Sequence, residues 1–138
     1  MKKKILAIDN SKAIRFLLQT VLSKDYQVVT APDGCSAMHW LSKKNIPDLI
    51  IADPQLSDMQ DWELIEQLVT SELYNQIPVL VLTSLHAEEA EAKGIELGVM
   101  GCFTKPFNPI ELLETVKMIC NTPKVDGFIL QHTPNMVN

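Results

Sequence analysis

Cysteine is sparse in this chain. Cys35, Cys102 and Cys120 stand far apart, and no CxxC or Cys/His cluster unites them. A disulfide framework and a zinc site are thereby set aside, and buried free thiols in a reducing cytoplasm are expected. Positive charge is in the minority: 12 Lys and Arg against 17 Asp and Glu leave a net charge of −5. A field of that sign repels nucleic acid, so a DNA or RNA partner is not expected for this domain. Long apolar runs are missing. Nowhere do about 18 apolar residues follow one another, so no membrane span is expected. The start, MKKKILAID, is basic, but its apolar run ends at Asp9. That is too short for the apolar region of a signal peptide. Lys2, Lys3 and Lys4 are read as a solvated strand entrance. Internal repeats and low-complexity tracts are absent as well.

What remains is an ordinary globular composition, with 46% hydrophobic and 21% charged residues in 138. One domain is expected, able to bury about two-thirds of its unfolded surface without a metal or a disulfide. Short apolar runs alternate with amphipathic stretches. ILAI (5–8), YQVV (26–29), DLIIA (48–52), VLVL (79–82) and CFT (102–104) read as strands. Several are apolar without alternation, which suits strands covered on both faces. Between them run stripes at helical spacing: Ile14, Leu17, Leu18, Val21 and Leu22; Ala37, Met38 and Leu41; Leu64, Ile65, Leu68 and Val69; Ala87, Ala90 and Leu97; Leu112, Leu113, Val116, Ile119 and Cys120. Asn108-Pro109-Ile110-Glu111 opens the fifth helix with a cap, a first-turn proline and a glutamate. Gly98 stops the fourth. Gly94 lies inside it, at a cost of about 1 kcal/mol relative to alanine, so the fourth helix is expected to be the least stable.

Five βα units predict an α/β fold: a doubly wound, five-stranded parallel sheet with five helices. Right-handed crossovers bring every strand's carboxyl end to one edge, where ligands bind. Asp9-Asn10 follows the first apolar run, Asp53 the third, Thr83-Ser84 the fourth and Lys105-Pro106 the fifth. The second run ends without a reactive residue, so that strand belongs at the sheet's margin in a flavodoxin-like order 2-1-3-4-5. A carboxylate, a hydroxyl and an amine at one edge suit phosphoryl chemistry, because a carboxylate can attack phosphorus while cations neutralise the equatorial oxygens. A hard divalent ion held by carboxylates fits the same place. The first turn, DNSKAI, has no glycine, which argues against a P-loop, a dinucleotide site and a flavin site.

These residues support a family resemblance. From about Lys3 to Asn121 the chain resembles the receiver domain of two-component response regulators, of the chemotaxis-regulator type. ILAIDNSKAIRFLL resembles the first strand and acidic turn, and LIIADPQLSDMQDWEL the phosphoacceptor segment. PVLVLTS resembles the fourth strand, and GVMGCFTKPF the fifth with its Lys-Pro. The resemblance implies a receiver over 1–121 and a tail or truncated linker over 122–138. It implies Asp53 as the acceptor of a phosphoryl group from a sensor histidine kinase or a histidine phosphotransfer protein. Thr83 and Lys105 would hold phosphoryl oxygens, with a cis bond before Pro106. Mg²⁺ would sit on Asp9, Asn10, Asp53 and the Gln55 backbone carbonyl. The implied setting is cytoplasmic, with a downstream protein or effector domain as partner, no membrane, and room for a homodimer. The implied role is a signalling one rather than an enzymatic one, with at most slow self-dephosphorylation. Gln55 stands where an aspartyl phosphatase would usually repeat an acid.

The chain departs from the pattern in three places. Asn10 replaces a second acid, so it is either a ligand through its amide oxygen or a neutral structural amide. Two carboxylates about 4 Å apart repel by about 4 kcal/mol at an effective dielectric of 20. Losing one relieves that repulsion and weakens the attraction for Mg²⁺. Cys102 replaces an aromatic residue three positions before the lysine, and Phe103 should face the other side of the strand. Leu56-Ser57 and Asp61 replace a Met-Pro and a glycine; Asp61 is expected to cap the third helix. Asn10 and Cys102 also suit a second reading, a pseudo-receiver that binds a protein partner without phosphate control. His39, His86 and His132 are expected at the surface or in the linker, and Trp40 and Trp62 in packing.

Overall fold

The apolar runs assemble as parallel strands in a computed structural model that describes residues 1–121. The elements are β1 (Lys3–Ile8), α1 (Lys12–Leu22), β2 (Tyr26–Ala31), α2 (Gly34–Ser42) and β3 (Leu49–Ala52). They continue with α3 (Glu63–Thr70), β4 (Val79–Thr83), α4 (Ala87–Leu97), β5 (Gly101–Thr104) and α5 (Pro109–Asn121). The sheet order is β2-β1-β3-β4-β5, and every pairing is parallel. The strand whose end lacks a reactive group is therefore at one margin, and β3 is central. The proposed tail, with His132, lies outside the described residues. Among the described residues, no helix is long and apolar enough to cross a membrane.

Alternate side chains of each strand enter two separate cores. Leu6, Ile8, Ile50, Ala52, Val79, Val81 and Cys102 pack with α2, α3 and α4. Ile5, Ala7, Leu49, Ile51, Leu80, Leu82 and Phe103 pack with α1 and α5. Cys102 and Phe103 do face opposite sides. Full burial of each large aliphatic side chain contributes about 1.5–3 kcal/mol, which explains why runs without alternation are tolerated in the central strands.

Local punctuation follows the side chains available. Ser11 accepts from Ile14 N–H at 3.2 Å, Asp33 from Ser36 N–H at 2.8 Å and Asn108 from Ile110 N–H at 2.8 Å, closing the starts of α1, α2 and α5. Gly98 ends α4 with φ 80°. The start of α4, at His86, has no side-chain cap. Neither α1 nor α5 carries a basic residue in its last turn. The N-terminal lysines supply that charge: Lys2 donates to the Ser23 carbonyl after α1, and Lys3 to the Cys120 carbonyl in α5. Lys4 lies 5.7 Å over the Trp40 ring. Lys2 and Lys3 are exposed at the entrance of β1, as expected, and these contacts add to that reading.

Two further expectations change. Cys102 and Cys120 are buried, but Cys35 is exposed in the first turn of α2; all three are free. Asp61 does not cap α3. That helix follows Trp62 in a left-handed conformation, φ 68°, without a side-chain cap. This conformation lets Trp62 N–H donate to the Pro54 carbonyl at 2.7 Å. The Glu63 carboxylate accepts from Gln60 N–H, and Asp61 takes the Gln55 side-chain amide at 3.3 Å instead. Trp62 is buried and Trp40 packs against the same core. His39 and His86 are exposed.

Candidate phosphoacceptor site

At three strand ends a polar side chain turns the chain by the same device. Asp9 Oδ1 accepts from Ser11 N–H at 2.9 Å, Asp53 Oδ1 from Gln55 N–H at 2.8 Å, and Thr83 Oγ1 from Leu85 N–H at 3.0 Å. Each bond spans two residues, the Asx- and ST-turn geometry that short oxygen-bearing side chains favour. The polar residues after the apolar runs therefore have a structural duty as well as any chemical one. The backbone joins these ends: Asp53 N–H donates to Ile8 O at 3.0 Å, and Lys105 N–H to Thr83 O at 2.7 Å.

Lys105 ties the edge together. Its Nζ lies 2.8 Å from Asp53 Oδ2, in a hydrogen bond, and 2.7 Å from Asp9 Oδ2. The contact with Asp9 is an ion pair without hydrogen-bond geometry, and Asp9 Oδ2 has no hydrogen-bond donor although it is buried. The Lys105–Pro106 peptide is cis. Asp9 is 1% and Asp53 6% exposed, while the lysine side chain is 14% exposed. Asp53 is thus recessed but not sealed. Burial pushes its carboxyl above the usual range; Lys105 and Gln55 N–H pull the other way, and Asp9 adds to the rise. Burial works to lower the Lys105 ammonium, but its two carboxylate partners outweigh that and hold it above its ordinary value.

Three of the expected residues, Asp9, Asp53 and Lys105, form one ion-paired group. Thr83 is on the same edge and fully buried, outside that group. Its oxygen accepts from Leu85, which leaves its O–H free to donate. Asn10 is exposed. Gln55 enters through its backbone. Sequence reasoning missed Arg15, whose Nη1 donates to the Asp9 carbonyl at 2.8 Å from one turn into α1. It also missed Asp58, which bonds to the start of α2. The Asp-x-Ser and Asp-x-Gln spacings were visible signals for the two turns; neither Arg15 nor Asp58 has a comparable local signature.

A divalent cation fits this donor set. Among the described residues, no three His, Cys, Asp or Glu side chains gather as a ligand cluster. Two carboxylates do converge, and the buried Asp9 Oδ2 is met by the Lys105 ammonium alone. Oxygen donors of this kind suit Mg²⁺, which keeps several waters and takes only one or two carboxylates from the protein.

A central parallel sheet with two acids and a cis Lys-Pro at its carboxyl edge suits phosphoryl chemistry, and comparison with known proteins specifies the family. Residues 5–117 match the model of the response regulator receiver domain, and the chain belongs to that family. It is 36% identical over 126 residues to the alkaline phosphatase synthesis transcriptional regulatory protein PhoP of Bacillus subtilis (strain 168), covering 91% of this chain and 51% of that protein. The chain spans about half the length of the first curated relatives it matches. Among solved structures, it resembles the chemotaxis response regulator CheY4 of Vibrio cholerae with a TM-score of 0.77 at 32% identity, covering 86% of this chain and 99% of that one. A response regulator from Chloroflexus aurantiacus J-10-fl gives a TM-score of 0.80 at 29% identity, covering 88% and 100%. Receiver domains are signalling modules of two-component systems.

Proposed function

We propose that this receiver takes a phosphoryl group on Asp53 from a phosphohistidine of a sensor kinase or phosphotransfer protein and thereby changes a surface offered to a downstream partner. The observation that carries this reading is the Asp9–Lys105–Asp53 group, with Lys105 Nζ 2.7 and 2.8 Å from the two carboxylates. In the resting site each Asp53 oxygen accepts one hydrogen bond, from Lys105 and from Gln55 N–H, and keeps a second lone pair with which to attack phosphorus. The P–N bond of the donor breaks as the P–O bond to Asp53 forms, and the departing imidazole takes its proton from solvent. Lys105 then follows the phosphoryl oxygens, and the free Thr83 O–H donates to one of them.

Mg²⁺ would rest on Asp9, Asp53, the Gln55 carbonyl and, through its amide oxygen, Asn10. When bound, it supplies positive charge against the oxygens of the transferring group. Because Asn10 brings no charge, Mg²⁺ should bind more tightly to Asn10→Asp than to the wild type. Calorimetric titration tests this, and equal affinities contradict it. The cytoplasm is the compartment where such donors would meet this chain.

Incubation with a small phosphodonor and Mg²⁺, followed by intact mass, tests the reading. The wild type should gain one phosphoryl group and Asp53→Ala none. The exposed Asn10 and the buried Cys102, whose thiol donates to the Ala90 carbonyl of α4 at 3.5 Å, favour a second reading. In it the fold binds a partner without phosphate control, and the wild type gains nothing.

A further inference from the structure

The loop between β3 and α3 is fastened to a helix that belongs to neither. Asp58 Oδ1 accepts from Gly34 N–H at 3.0 Å and its Oδ2 from Cys35 N–H at 2.8 Å, two amides of the first turn of α2. These donors lack partners within the helix, so a carboxylate bridging both satisfies two orphan groups at once. Both amides hold the Asp58 carboxyl below the usual carboxylate range. Met59 reinforces the contact: a Cβ added at Gly34 would sit 2.5 Å from the Met59 sulfur, so only glycine admits this approach without displacing Met59. The same loop is closed on itself by the bond from Trp62 N–H to Pro54 O. At its start it carries Gln55, whose N–H holds Asp53 Oδ1.

We infer that Asp58 is a positioning residue for the phosphoacceptor site, clasping the start of α2 so that the loop presents the Gln55 backbone to Asp53 in one geometry. Resting on the phosphoacceptor reading above, this assigns α2 a part in the reaction although none of its residues reaches the site. The carboxylate acts at a distance of several residues, through the loop. Groups beyond the first contact that orient a metal's ligands commonly change affinity by about tenfold or more when removed.

The test uses the full chain as wild type, Asp58→Ala and Asp58→Asn, read by amide hydrogen exchange, thermal melting and titration with Mg²⁺ alone. Asp58→Ala should speed exchange at Gln55, Gly34 and Cys35 by about tenfold beyond any change at β3 amides, which report global stability. Its Mg²⁺ affinity should fall by about tenfold. Asp58→Asn keeps one acceptor oxygen and should lie between the two. A lowered melting temperature with Gln55 exchange and Mg²⁺ affinity as in the wild type would overturn the inference, leaving Asp58 a cap of α2 only. If Asp58→Ala does not fold, Asp58→Asn decides by the same two readouts. A wild type that neither binds Mg²⁺ nor takes a phosphoryl group refutes the phosphoacceptor reading, whereas Gln55 exchange still judges the clasp.

Discussion

Lys105 occupies the ground that a divalent cation would share, since both answer to Asp9 and Asp53. Replacing it should expose that competition. Lys105→Met leaves two recessed carboxylates facing one another and should lower stability by about 3 kcal/mol at neutral pH. Mg²⁺ should restore more stability to this variant than it adds to the wild type; equal gains in urea unfolding would contradict a shared seat. The cysteines make a second case at this scale. Cys35 is exposed and Cys102 and Cys120 are buried, so an alkylating reagent should label one thiol rapidly in the native protein and all three in urea. Burial, with Glu91 adding to it, pushes the Cys102 thiol up to about 12 from 9.0. A thiol raised on folding contributes its stability in full below the unfolded value, near 9, and loses it as pH rises toward the folded one. Stability should therefore decline between about pH 9 and 12, and Cys102→Ala should decline less steeply over that window. Parallel melting curves would contradict the assignment.

At the scale of elements, the caps differ in kind. α1, α2 and α5 begin on side-chain caps, whereas α4 begins at His86 with none and contains Gly94. Amides of α4 should exchange faster than those of the other helices, as measured by native-state hydrogen exchange. The stop of α4 has a separate cost. Gly98 has φ 80° with open space around its would-be Cβ, so Gly98→Ala meets conformational strain and no clash. The expected loss is about 1 kcal/mol, seen as a melting temperature lower by a few degrees. Elements were legible where one local pattern decides them. Apolar runs without alternation marked the covered strands, and Asn108-Pro109 and Gly98 marked helix ends. The start of α3 was not legible. Trp62 takes a left-handed conformation because its N–H reaches back to Pro54, a tertiary demand that overrides the local preference for an aspartate cap. The carbonyl partners of Lys2 and Lys3 were not legible for a related reason, since Ser23 and Cys120 lie far along the chain.

For the whole molecule, one face of the sheet carries α1 and α5 and the other α2, α3 and α4, while the strand ends meet along a single edge. That edge was readable because each apolar run is followed at once by its polar residue, and the right-handed crossover rule does the rest. The cation bridge was readable only as a set of residue types. Nothing in the spacing of Asp9, Asp53 and Lys105 states that one ammonium would span both acids, and nothing near Asp58 announces that it holds α2. Asn10 stays open between a ligand and a neutral structural amide: its place in the motif suggests a ligand, and its side chain is exposed at the same edge. The central claim is that phosphate arrives on Asp53 and nowhere else. Borohydride reduction after treatment with a small phosphodonor and Mg²⁺ converts an aspartyl phosphate to homoserine, which peptide mass spectrometry can place. The account predicts homoserine at position 53 alone, with its yield dependent on the cation. Homoserine at another position, or none in protein shown to be folded, would contradict it.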